Sequence, residues 1–305
     1  MFIDVLTQVI ILFILIILGV LLAKTKILSD MGVKCMTDLV LYIVTPCVII
    51  KSFIREFDSS ALKNLIISFV IAILAHSGFI ILSHLLLKDN DKAKEKVLRF
   101  GVVFSNCGYM SIPLQQALIG DTGVFYASSY IAIFQLFIWS YGIIAMSGDK
   151  KYLTPKKLIA NPGMIGLAIG LIIFLFSIPV PKIAAEPISY LASLNTPLPM
   201  IIIGFHMANS NLLDGIKNLK CIFAIILKLL IFPALTLGIM YICGVRGTLL
   251  VSSVISASAP VAAITTMFSS KFGQNTSLSV NMVSLSTAFS LVTMPIIITL
   301  AQYIA

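Results

Sequence analysis

Charge is what this sequence has least of. Only 11% of its 305 residues are Asp, Glu, Lys or Arg, against about 25% in a soluble globular domain. So few charges cannot coat a water-facing surface for a chain of this size. Histidine is scarce too, with three residues in all. The chain has no GxSxG, no HExxH, no GxxxxGK[ST] and no GxGxxG. It therefore shows no signature of a hydrolase, metalloprotease, P-loop nucleotidase or dinucleotide enzyme, and ATP hydrolysis within the chain cannot drive its work. The five cysteines (35, 47, 107, 221, 243) form no CxxC pair and no metal-ligand spacing. They read as small core residues, with no metal and no cofactor expected. Alternation of apolar and polar residues is rare, which argues against an outer-membrane barrel.

What is present is apolar sequence. Hydrophobic residues make up 59% of the chain, and the mean hydropathy is +1.08. Runs of about 20 apolar residues, enough to cross a bilayer as a helix, recur along the whole length. Ten segments are predicted: 5–23, 34–54, 62–86, 98–119, 122–146, 162–178, 186–208, 219–243, 247–270 and 275–302. The first carries no basic start and no small-x-small cleavage site, so it reads as a membrane helix rather than a signal peptide. With both termini outside, the inward loops would hold fifteen lysines and arginines and the outward loops five. That bias favours the orientation. It also accounts for the net charge of +9 through the anionic inner leaflet, without nucleic acid. The expected setting is a multi-pass protein of the cytoplasmic membrane with both termini extracellular.

The polar stretch 147–162 falls at the midpoint. The expected division is a first five-helix repeat over 1–147, a cytoplasmic linker over 148–161 and a second repeat over 162–305. An odd number of spans per half makes the repeat inverted. Thr45-Pro46 and Thr196-Pro197 sit alike in the two halves. Each is followed, 67 and 63 residues on, by a further proline, Pro113 and Pro260. A proline costs about 3 kcal/mol in a helix interior. Helix breaks are therefore predicted at Pro46, Pro113, Pro197 and Pro260. The helix of segment 98–119 is expected to stop near Ser105-Asn106, run extended, and resume after Pro113. Gly120 and Gly273 end the two broken segments. Unwound backbone at membrane depth must line a cavity or be buried, and breaks at corresponding positions of two halves point to a transport site.

Asn106-Cys-Gly-Tyr-Met110-Ser-Ile112-Pro113-Leu114 resembles the N-x-x-x-M-x-I-P-L motif in the fourth helix of plant PIN-type auxin efflux carriers and their bacterial relatives. Pro260, Lys271-Phe272-Gly273 and Pro295 resemble the matching region of the second half. The resemblance, to the auxin efflux carrier family of the bile acid/auxin superfamily, covers the whole chain. It implies an all-α membrane protein with a scaffold domain and a transport domain, whose fourth and ninth spans are broken and cross at the substrate site. It implies organic anions as substrates, auxins in plants and dicarboxylates such as malate or malonate in bacteria, and a homodimer. Without the long central hydrophilic loop of many plant members, the chain looks like a minimal bacterial form. Carried over by residue, the resemblance implies Asn106 and Pro113 at the first crossing and Pro260 at the second.

The candidate substrate-binding set is Asn106, Cys107, Gly108, Tyr109, Pro113, Ser258, Ala259, Pro260 and Asn281. The serine- and alanine-rich second segment also suits close helix packing. Ionisable groups inside spans are costly and by default functional, which adds Lys228, Asp38 and His76 as candidates for charge or ion coupling. Each has a plainer reading: Lys228 snorkelling to the inward face, Asp38 an interfacial carboxylate beside Lys34, His76 a neutral bundle histidine. Coupling to H+ or Na+ stays open, and a sodium site would need clustered carbonyls and hydroxyls. The reading as a whole is a secondary transporter for small mono- or dicarboxylates working by alternating access. A passive anion channel and a ligand-binding membrane receptor are the alternatives.

Overall fold

The computed structural model describes residues 2–153, 161–208 and 212–305. Residues 154–160 of the expected linker lie outside the described residues. The first half comprises α1 (Phe2–Lys24), α2 (Asp30–Leu39), α3 (Thr45–Phe53), α4 (Ser59–Leu86), α5 (Lys92–Val103), α6 (Ile112–Ile119), α7 (Asp121–Phe137) and α8 (Ile143–Ser147). The second comprises α9 (Pro162–Leu175), α10 (Lys182–Ser193), α11 (Pro197–Ala208), α12 (Leu212–Lys217), α13 (Leu219–Ile226), α14 (Phe232–Ile242), α15 (Gly247–Ser258), α16 (Ile264–Lys271) and α17 (Thr276–Ile304). Among the described residues the only β pairing is one isolated bridge.

Helix starts follow the capping residues. Asp58, Asp91, Asn161, Asn218 and Asn275 each accept a hydrogen bond from a backbone N–H in the first turn of α4, α5, α9, α13 and α17, satisfying donors that a helix start leaves unpaired. Gly120 and Gly273, the residues expected to end the broken segments, adopt φ of 74° and 63°. Side chains other than glycine avoid that region.

Prolines are accommodated in a way the sequence reading did not foresee. Three π-helical turns, Val40–Val44, Cys107–Ser111 and Leu227–Ile231, run directly into the Xaa-Pro pairs Thr45-Pro46, Ile112-Pro113 and Phe232-Pro233. A proline lacks an N–H and clashes with the carbonyl four residues back. A wide turn removes both conflicts, because its bonds reach back five residues, as from Thr45 N–H to Val40 O and from Phe232 N–H to Leu227 O. Pro46 therefore does not break its span, and α2, the π turn and α3 form one continuous helix. At Pro197 the chain makes a short turn over 194–196 and restarts as α11.

Among the described residues, seven helical stretches are long and apolar enough to cross a membrane: Phe2–Lys24, Asp30–Phe53, Ser59–Leu86, Asp121–Ser147, Lys182–Ala208, Leu219–Ile242 and Thr276–Ile304. The remaining three of the ten expected segments consist of shorter pieces. Segment 98–119 is α5, a gap, a π turn and α6; segment 247–270 is α15, a gap and α16; α9 is a single 14-residue helix. Large apolar side chains such as Ile14, Ile17, Leu74 and Leu85 stand exposed on α1 and α4, as lipid-facing positions do.

Packing sorts the helices differently from the chain's two halves. The helices α1, α2–α3, α9 and α10–α11 form one group. A Cβ on Gly204 of α11 would lie 2.0 Å from Ile16 O of α1, and one on Gly166 of α9 would lie 2.8 Å from Pro46 Cα, so backbone meets backbone there. The second group is α4, α5–α8 and α13–α17. Each group draws on both halves.

Candidate functional site

The two interrupted segments meet deep in the second group. The first helix stops at Val103, Phe104–Asn106 run through non-helical backbone, and helical turns resume at Cys107. The gap therefore closes before Pro113 rather than after it, because the π turn carries the proline. The second gap lies between Ser258 and Ile264 and contains Pro260 itself.

The gaps pair with each other. Ser105 and Val261 form an antiparallel bridge, flanked by Asn106 N–H to Pro260 O at 2.7 Å and Ala262 N–H to Phe104 O at 3.0 Å. The Val261 N–H donates to Ser286 Oγ of α17 at 3.1 Å. Buried backbone that helices no longer satisfy is thus paired. The bridge is locally two-fold, which matches Phe104-Ser105-Asn106 to Pro260-Val261-Ala262. Pro260 is the counterpart of Phe104, and Asn106 is the counterpart of Ala262; Pro113 lies out of register with Pro260.

Four half-helix ends converge here: the C-termini of α5 and α15, and the N-termini of the Cys107 turn and of α16. The former present partial negative charge and the latter partial positive charge. At the N-terminal side, Asn106 is 6% exposed, and its Nδ2 has no hydrogen-bond partner. Thr265 Oγ1, in the first turn of α16, is likewise buried and unpartnered. Beside Asn106 there is room: a Cβ on Gly108 would meet nothing within 4 Å. Tyr109 turns outward to Val33, Val40, Ile202 and Phe205 of the first packing group. A crevice of about 140 Å3, lined by Gln8, Leu12, Pro113, Leu114, Gln116 and Thr196 among others, runs between the two groups at α6. Buried donors at helix N-termini beside open room suit a small anion.

The remaining sequence candidates take distinct places. Cys107 is buried in the π turn, and no group of metal-ligating side chains occurs among the described residues. Ser258 donates to Ile255 O of its own helix at 3.0 Å, and Ala259 is fully buried. Asn281 is buried with its Cβ near Gly215 of α12; on α17, Ser286 reaches the crossing. Asp38 is exposed on α2, within electrostatic reach of Tyr109. His76 is fully buried, with Nδ1 2.8 Å from Ala72 O. A carbonyl only accepts, so Nδ1 carries a proton, while Nε2 has no hydrogen-bond partner. The ring lies 4.9 Å from that of Tyr130.

Lys228 corrects the expectation that it snorkels. It is fully buried, and its Nζ donates to Ser105 Oγ and to Ala257 O at 3.4 Å. The Nζ stands 5.9 Å from the centre of the Phe79 ring. The π turn Leu227–Ile231 that precedes Pro233 places it there.

Gln115 escaped the sequence reading altogether. It is fully buried, donates to Ser111 Oγ at 3.0 Å, Ser256 Oγ at 3.0 Å and Ser252 O at 3.3 Å, and accepts from Ser252 Oγ at 2.6 Å. It ties α6 to α15 beside the crossing. The signal was available: Ser252 and Ser256 share a helix face by their spacing of four.

A multi-pass helical membrane protein whose two interrupted helices cross at a buried polar centre is built as a transporter. The membrane transport protein family matches residues 4–298, and the chain belongs to this auxin efflux carrier family. An uncharacterized transporter of Methanothermobacter thermautotrophicus is 25% identical over 287 residues, 93% of this chain and 94% of its own. An uncharacterized transporter of Methanocaldococcus jannaschii is 24% identical over 292 residues, again 93% and 94%. Auxin efflux carrier component 1 of Arabidopsis thaliana is 29% identical over 121 residues, 38% of this chain and 20% of the plant protein. The chain is thus a membrane transporter and not an enzyme.

Proposed function

We propose that the protein is a secondary transporter that moves small organic anions, mono- or dicarboxylates, across the cytoplasmic membrane by alternating access. The observation that carries this reading is the Asn106 amide. Its Nδ2 is buried without a partner, at the N-terminal end of a half-helix, beside the open room at Gly108. An unpaired buried donor costs about 1–3 kcal/mol, and a carboxylate would remove that cost. The plant relatives are auxin efflux carriers by name, which supports an organic anion. Alternating access is supported by the crossing lying wholly within one packing group while Tyr109 and the crevice face the other. In this reading the interrupted pairs α5/α6 and α15/α16 each count as one span and α9 as another, giving ten spans as two inverted five-helix repeats. The excess of lysine and arginine in alternate loops puts both termini outside.

The test is uptake of labelled mono- and dicarboxylates into proteoliposomes, with counter-flow. Saturable uptake stimulated by substrate on the far side supports the carrier, whereas non-saturating conductance points to a channel. Asn106→Ala is expected to lower uptake by about 100-fold while the protein still folds; unchanged uptake rejects the site.

A further inference from the structure

The two packing groups meet differently in the two halves of the membrane. With both termini outside, α1 enters from the outer face and α2 rises from the inward loop that carries Lys24 and Lys26. Val33 and Val40 then lie in the inner half of the α2–α3 span, and Ile202 and Phe205 in the inner half of the α10–α11 span. These four side chains are buried in one apolar cluster, with Ala23 and Leu28 of the inward end packed on it. Among the described residues, Tyr109 is the only side chain of the second group in that cluster. Its hydroxyl lies within electrostatic reach of Asp38, exposed on α2. A tyrosine suits such a place, since it joins an apolar body to a wet polar tip. The outer half is built otherwise. There the crevice of about 140 Å3 runs between the groups, lined by Gln8 and Leu12 of the outer half of α1 and by Gln116 near the outer end of α6. Pro113 and Thr196, both near mid-depth, line it too. Gly108 lies one wide turn before Pro113, because a π turn stacks residues four to five apart. The room at Gly108, beside the Asn106 amide, therefore falls in line with the crevice.

We propose that Tyr109 is the inner gate of the substrate route, and that the route stands open toward the outer face in this structure. The ring fills the socket of Val33, Val40, Ile202 and Phe205, so the inner half is shut. It must leave that socket before the Asn106 amide can face the inside. Tyr109 thus acts on the balance between two states of the protein rather than on the anion. Removing its packing favours the inward-open state by the contact free energy that the closed state loses.

The gate rests on the proposed orientation and on alternating access, and one experiment separates their failures. Gly108→Cys places a thiol in the room beside Asn106. Native Cys35, exposed near the inner end of α2, and native Cys243, exposed just past the outer end of α14, report the two faces. Right-side-out and inside-out vesicles are treated with a charged, membrane-impermeant maleimide, and alkylation is read at each cysteine by peptide mass spectrometry. Cys243 is expected to react only from outside and Cys35 only from inside. Any other pattern overturns the orientation, while the gate is still judged on the face where Cys35 reacts. The Gly108→Cys thiol is expected to react from the Cys243 face and to be protected from the Cys35 face. Adding Tyr109→Ala should speed its reaction from the Cys35 face by about tenfold or more, with the reaction of Cys35 unchanged. Adding Tyr109→Phe, which keeps the ring, should leave the protection in place. Should Tyr109→Ala not fold, Val40→Ala trims the socket instead and should open the same face. The proposal is overturned by a Gly108→Cys thiol that reacts from the Cys35 face with Tyr109 in place, by one that reacts from neither face, or by protection that survives whichever of Tyr109→Ala and Val40→Ala folds.

Discussion

The two gaps at the crossing are paired to each other atom for atom along the backbone, yet their side chains differ in kind. The first, Phe104-Ser105-Asn106, carries a hydroxyl held by Lys228 and an amide whose Nδ2 has no hydrogen-bond partner. The second, Ala259-Pro260-Val261-Ala262, carries no side-chain hydrogen-bonding group at all. Backbone symmetry has therefore been kept and chemistry has not. The second gap shapes the crossing: Pro260 prevents the helix from continuing, and its carbonyl fixes Asn106 N–H. The first gap is the one we propose reads the ligand. Two copies of a polar gap would leave two sets of buried donors to satisfy, each at a cost; a single amide lets one anion satisfy them.

The sharpest way to break this comparison is to exchange the roles. Asn106→Ala is expected to lower transport by about 100-fold, near 2.7 kcal/mol at 1.36 kcal/mol per factor of ten. Ala262→Gly, at the matching position, should leave it within about threefold. Equal losses from both would mean that the gaps share the recognition. Next in size is the clamp that holds the segments side by side. Gln115→Leu leaves Ser252 Oγ, Ser256 Oγ and Ser111 Oγ short of a partner, and should destabilise the fold by about 2–3 kcal/mol, read as a lowered melting temperature. Ser286→Ala strips the acceptor from Val261 N–H and should cost about 1 kcal/mol, with substrate affinity nearly unchanged. An affinity loss as large as that of Asn106→Ala would give the second gap a binding role.

The smallest effect is expected far from the crossing. In the loop between α4 and α5, Lys220 Nζ donates to Asp89 at 2.8 Å, and that bond holds the carboxyl below its ordinary value. Next to it, a backbone hydrogen bond from Asp89 N–H to Glu95 Oε2, at 2.8 Å, lowers the Glu95 carboxyl. A depressed carboxyl contributes stability above its unfolded value and loses it as pH falls through the folded one. Asp89→Asn should therefore melt slightly below wild type near neutral pH, and the two curves should merge in acid below the ordinary aspartate range. A gap that persists there would show that Asp89 acts by packing.

The membrane class, the positions of seven of the expected spans and the presence of two interrupted segments were legible because they rest on local runs of apolar residues and on Pro and Gly, whose backbone effects are local. The position of the first gap was not. Pro113 signalled a break, but a π turn can absorb a proline, and nothing in IPLQQ distinguishes an absorbed proline from a breaking one. The same device hid Pro46, and it misled the pairing of Pro113 with Pro260, whose true counterpart is Phe104. Asn106 was singled out because its amide can donate to a carboxylate and because it opens the N-x-x-x-M-x-I-P-L motif, and the structure places it in the first gap. Gln115 and Ser286 were missed because their roles depend on partners more than 20 residues away in sequence. Lys228 was seen as out of place, but its direction depends on the widened turn that carries it. The grouping of helices across the two halves, set by contacts such as Gly204 on Ile16, is non-local by nature.

The central claim is that an anion is held by the unpaired amide of Asn106. Its most direct test is ligand-induced stabilisation, measured by melting wild type and Asn106→Ala against a panel of mono- and dicarboxylates. Since the amide Nδ2 bonds to nothing in the empty protein, the variant should melt close to wild type without ligand. At least one carboxylate should raise the wild-type melting temperature and leave that of Asn106→Ala unmoved. A variant stabilised by the same carboxylate to the same extent would contradict the account.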